Sequence, residues 1–97
     1  MTPKLPANLK GLRSLVGQGE GRALEFKRST GELKEGMRTL CAFLNGSGGT
    51  VLFGVRPDGT IEGQDVSEKT LREIAQAADR FEPPAHISLE RVYFNGG

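Results

Sequence analysis

Leu9, Leu12, Leu15 and Val16 recur at helical spacing behind Asn8, a residue suited to capping a helix, and the run GQGEG at 17–21 stops the pattern. The period then changes to two. In ALEFKR, residues 23–28, Leu24 and Phe26 point to one side and Glu25 and Lys27 to the other, which predicts a half-buried strand. Leu33, Met37, Leu40, Cys41 and Leu44 restore the helical period up to Asn45-Gly46, with Lys34 and Arg38 on the flank of that helix. TVLFGV, 50–55, is almost continuously apolar and is expected to be a central strand covered on both faces. Arg56-Pro57-Asp58-Gly59 is a turn, because Pro57 presets φ and Gly59 accepts positive φ, and TIEG at 60–63 is expected to pair back as a short strand. Ser67 caps a third predicted helix that turns Leu71, Ile74, Ala75 and Ala78 inward and is closed by Pro83-Pro84. HISLERVYF, 86–94, alternates through Ile87, Leu89 and Arg91 before Val92 to Phe94 break the alternation, and is expected to form the last strand.

These elements predict an α+β domain, a small mixed sheet packed with two or three helices. One domain is expected over residues 1–97, with a helical arm at 8–17 and a core at 22–94. Asn95-Gly96-Gly97 is a hairpin-turn signal at the end of the sequence, so a domain lacking its final hairpin strand is expected.

Composition narrows the function. A chain of 97 residues with 36% hydrophobic content supports one modest core. Thirteen basic against twelve acidic residues leave a net charge of +1, so any electrostatic site must be local. A single cysteine, Cys41, and a single histidine, His86, exclude an internal disulfide and conventional zinc chemistry. Cys41 sits in an apolar stripe and reads as core; His86 reads as a surface or capping residue. The sequence has neither a membrane-length apolar run nor a signal-peptide core, so a soluble cytoplasmic protein without a membrane partner is expected.

The glycines of NGSGGTVLFGVRPDG, 45–59, do not read as a phosphate cradle. A phosphate loop leads from a strand into a helix N-terminus, whereas residues 45–49 follow a helix and lack the Gly-Lys-Ser/Thr of a P-loop. Gly46 is expected to cap the helix in the left-handed region, Gly48-Gly49 to reverse the chain, and Gly54 to admit a close neighbour.

EGRALEFKRS at 20–29, AFLNGSGGTVLFGV at 42–55 and DGTIEG at 58–63, in this order, resemble the Schlafen AlbA-like (AlbA_2) DNA-binding domain. The resemblance covers about residues 9–94. It implies an α+β sandwich whose last hairpin continues beyond residue 97, and a nucleic-acid-binding role in a bacterial transcriptional regulator. The family has also been described as a divergent ATPase, but without a P-loop no ATP site is expected. In Schlafen members that cut RNA, three carboxylates carry the activity; carried over, these are Glu20, Glu25 and Asp58, with Mg2+ or Mn2+ as the implied metal. Glu20 and Glu25 lie five apart, so on one ideal strand they face opposite ways and come together only if the chain bends near Gly19 and Gly21. Asp58 also has a purely conformational reason to occupy Pro-Asp-Gly.

Lys27, Arg28, Lys34 and Arg38 form a candidate phosphate-contacting patch that needs no cofactor. The competing reading is a solvated face whose charges pair with Glu35 and its acidic neighbours. Three functions follow: a DNA- or RNA-binding module, a metal-dependent endoribonuclease, and an assembly module pairing through sheet edges, with a homodimer as its product. Tyr93 and Phe94 are candidates for stacking on bases; the competing reading is that a strand whose partner hairpin arm is missing exposes such aromatics anyway.

Overall fold

The structure, a computed structural model, describes residues 5–81 and 87–93. Its elements are α1 (Leu9–Val16), β1 (Leu24–Lys27), a 3₁₀ turn (Thr30–Glu32), α2 (Leu33–Leu44), β2 (Thr50–Phe53) and α3 (Glu68–Ala78). β1 and β2 are parallel, in the register Leu24↔Thr50 to Lys27↔Phe53, and α2 connects them. This α+β arrangement follows from the change of period from two to helical and back, since parallel neighbours need a crossover long enough to return the chain.

Each sheet face has its own helix. Leu24, Phe26 and Leu52 share the face packed on α1, where Leu12, Val16, Leu24, Phe26 and Val55 form the core and Val55 is only 2% exposed. α2 covers the opposite face at Val51 and Phe53, and Gly36 permits that approach. A Cβ at Gly36 would lie 2.6 Å from Cζ of Phe53, so a side chain there would force the ring to move. Nothing in the hydrophobic pattern marks Gly36, which sits within a helix otherwise read by its apolar stripe. Asn8 caps α1 by accepting from the Gly11 amide, and Ser67 and Thr70 form a reciprocal capping box on α3.

Several expectations are corrected. Gly46 is not left-handed. The amides of Gly46 and Gly48 both donate to the Phe43 carbonyl, at 3.0 and 2.8 Å, and the chain reverses at Gly48, whose φ is +90°. Ala75 is exposed, and α3 buries Ile74 with Leu71, Ala77 and Ala78 half-buried. β2 is not central among the described residues: β1 is its one strand partner there. The return strand after the turn is reduced to a Val55↔Ile61 bridge, because Gly54 at φ +100° turns the chain and its carbonyl accepts from both Glu62 and Gly63. The Gly54 approach itself is as expected, with Gly63 Cα 3.0 Å from where a Cβ would stand.

Residues 87–93 carry no strand. Val92 packs against the core, which sets the phase of the segment and leaves Leu89 46% exposed instead of buried. His86, Phe94 and Pro83-Pro84 lie outside the described residues.

Candidate nucleic-acid interface

Glu20 is exposed, yet its carboxylate has a defined partner. The chain turns at Gly19 (φ +75°), Gly21 bridges antiparallel to Leu24, and Glu20 Oε1 accepts the Phe26 amide at 2.8 Å. The bend near Gly19 and Gly21 thus exists and folds Glu20 back on β1. Glu25 is half-buried on the opposite sheet face from the core and meets Lys27 Nζ at 3.8 Å, two residues along the same side of β1. Asp58 is engaged in its own turn, where Oδ1 accepts the Thr60 amide at 2.9 Å. The three carboxylates therefore have three separate local partners. Among the described residues no group of three Asp, Glu, His or Cys side chains is placed to hold a metal. A hollow of about 570 Å³ beside the turn is lined by Asp58, Phe26 and Arg13.

The four candidate cations are also separated in role. Lys27 is drawn into the Glu25 pair with its side chain only 16% exposed. Arg28 is exposed at the end of β1; its amide donates to Glu32, and its charge acts on Asp58 and Glu62 of the turn. Lys34 and Arg38 are exposed one helical turn apart on α2. Neither is in an ion pair among the described residues, where the pairs are Lys27 with Glu25 and Arg56 with Glu62. Glu35 pairs with neither Arg28 nor Arg38 there.

The hairpin turn is an electrostatic unit. Arg56 grips Glu62 through two contacts, Nε to Oε1 at 2.9 Å and Nη2 to Oε2 at 3.1 Å. The hydrogen bond from Arg56 holds the Glu62 carboxyl below the usual range, helped by the charges of Arg56 and Arg28, and Glu62 in turn raises the Arg56 guanidinium. Hydrogen bonds from Thr60, its amide foremost, hold Asp58 low, with Arg56 and Arg28 adding to the effect.

A family model described as Schlafen, AlbA_2 matches residues 20–97. The chain belongs to this family. No curated protein and no solved structure gives a significant match. Membership of the Schlafen AlbA_2 family suggests a function related to nucleic acid. No described helix of this AlbA_2 chain is long and apolar enough to cross a membrane.

Two features of this AlbA_2 fold stand differently to the sequence. Gln64 clamps the strand-to-helix turn by accepting the Thr30 amide at 2.8 Å and donating to Thr30 Oγ1 at 2.9 Å. The partners are 34 residues apart, and no local pattern signals such a bond. The Arg56–Glu62 pair was also missed, although opposite charges flanking the Pro-Asp-Gly turn are a signal that could have found it.

Proposed function

We propose that the chain is a nucleic-acid-binding module, serving DNA contact in a transcriptional regulator of the cytoplasm. The observation that carries the reading is the pair Lys34 and Arg38, exposed on one face of α2 with no ion-pair partner among the described residues. Two cations about one helical turn apart can contact neighbouring phosphates, while Lys27 is committed to Glu25. Family membership supports the same reading. Binding of this kind depends on backbone charge, so weak affinity with little sequence preference is expected.

The test is fluorescence anisotropy with labelled duplex DNA at several salt concentrations. Replacing Lys34 and Arg38 together with Ala is expected to weaken binding and reduce the salt slope by about 2, near 0.9 for each phosphate that is no longer neutralised. Unchanged affinity and slope in the double variant would remove these residues as the contact surface. Lys27→Ala is expected to change the slope less.

The endoribonuclease reading has one observation in its favour, the return of Glu20 to β1, the strand that bears Glu25. As arranged here, the carboxylates do not form a three-residue metal cradle among the described residues. RNA cleavage in Mg2+ or Mn2+ that disappears with chelator and in Glu25→Gln would favour this reading; cleavage surviving either change would remove it in favour of a contaminating enzyme. The assembly reading, including a homodimer, is tested by sedimentation at several concentrations.

A further inference from the structure

Arg91 and Tyr93 form a cation-aromatic pair on the surface: the Arg91 guanidinium carbon lies 4.5 Å from the centroid of the Tyr93 ring. Tyr93 is 72% exposed, and Arg91 is also exposed, without an ion pair among the described residues. Between them, Val92 packs on the core and so fixes this part of the segment to the domain. The segment therefore presents a large aromatic ring and a cation together while its intervening residue is anchored.

Resting on the nucleic-acid reading above, we infer that Arg91 and Tyr93 form a stacking site for one base of single-stranded nucleic acid, with Arg91 balancing the adjacent phosphate. The chemistry matches the parts of such a ligand. Every base has a π face that can stack on a phenol ring, and the neighbouring phosphate is an anion suited to a guanidinium. A duplex offers only stacked, paired bases, so this site selects an unpaired strand. Tyr93 would supply a contribution insensitive to salt, and Arg91 one that falls as salt rises.

The chain has one tyrosine and no tryptophan, so its intrinsic emission reports on Tyr93 alone. The probe is a fluorophore-labelled oligo(dT), with anisotropy measured across a salt series. Unlabelled oligo(dT) is then titrated while tyrosine emission is followed. The expected result is quenching of Tyr93 emission together with about tenfold weaker binding in Tyr93→Ala at an unchanged salt slope. Tyr93→Phe should restore affinity, since the ring and not the hydroxyl stacks. Arg91→Ala should lower the slope by about 0.7, the single-strand value for one phosphate. Circular dichroism melting of each variant checks the fold.

Oligonucleotide binding with unchanged Tyr93 emission and no weakening in Tyr93→Ala would overturn the stacking site while leaving the nucleic-acid reading intact. No binding to duplex DNA or oligo(dT) would overturn both. Self-association that Tyr93→Ala abolishes, without nucleic-acid binding, would reassign the ring to packing against a second copy.

Discussion

The two edges of the sheet differ in how the chain treats them. On the β1 side the chain closes its own edge: Gly21 donates to the Leu24 carbonyl at 2.9 Å, and the Glu20 carboxylate takes the Phe26 amide. On the β2 side, Thr50 and Gly54 donate inward to β1, so strand alternation turns the Val51 and Phe53 amides to the outer edge. Among the described residues no strand pairs there. A cleft of about 520 Å³ lies along β2, bordered by Leu71 and Ile74 of α3 and by Ile87 and Leu89. The contrast shows that an acidic side chain can complete a sheet edge without a third strand. It also separates a self-contained half of the domain, built on α1 and β1, from a half whose surface is more open.

Substitutions on the two sides should have very different effects. Phe26→Ala removes a ring that is 4% exposed in the core and is expected to cost about 3–5 kcal/mol by urea denaturation. Leu89→Ala, at a position 46% exposed, is expected to stay within about 0.5 kcal/mol. Equal effects would mean that the outer segment contributes to the core as much as β1 does. A smaller effect than that of Phe26 is expected at the closed edge itself. Glu20→Ala leaves the part-buried Phe26 amide without its acceptor and should cost about 1–3 kcal/mol, with faster hydrogen exchange at Phe26. Glu20→Gln keeps an acceptor and should recover part of that stability. If Glu20→Ala leaves both stability and Phe26 exchange unchanged, the edge is not held by this carboxylate.

The same division explains what the sequence revealed. β1 and α1 were legible because their apolar positions keep a regular period against a defined core, α2 because its stripe keeps the helical period although only Met37 of it is buried, and Asn8 and Ser67 announce the helix starts by capping chemistry. The Gly19–Gly21 bend was legible as a requirement, since only a bend could bring Glu20 back to β1. Its partner was not: the carboxylate reaches a backbone amide, which no side-chain pattern announces. Alternation along β1 already put Lys27 on the side of Glu25 but did not show that the two would pair, while Arg28 follows the strand toward the hairpin turn. The end of the chain misled because alternation alone assigns Leu89 inward, while the packing of Val92 on the core sets another phase.

The smallest effect belongs to the hairpin turn beyond β2, where charges hold the backbone at the surface. Asp58 binds the Thr60 amide and Glu62 binds Arg56, and both carboxyls are held below their ordinary range by these bonds. A carboxyl with a lowered folded pKa adds stability above its unfolded value and loses it as pH falls through the folded value. Unfolded carboxyls titrate at about 4, so the contribution is complete at neutral pH and disappears on acidification below about pH 4. The amides of Thr60 and Arg56 should then exchange faster, while the β1 amides that face β2 retain their protection, because that pairing and the Val55 side of the core do not depend on these charges. Asp58→Asn keeps an oxygen for the Thr60 amide and removes the Asp58 titration, so its turn should be less sensitive to acid than the parent's. Hydrogen exchange by NMR from about pH 7 to about pH 3, a range that brackets the unfolded carboxyl value, measures both once corrected for the intrinsic exchange rate. Turn amides that keep full protection at the acid end in the parent chain would show that Pro57 and Gly59 hold the turn without the carboxylates.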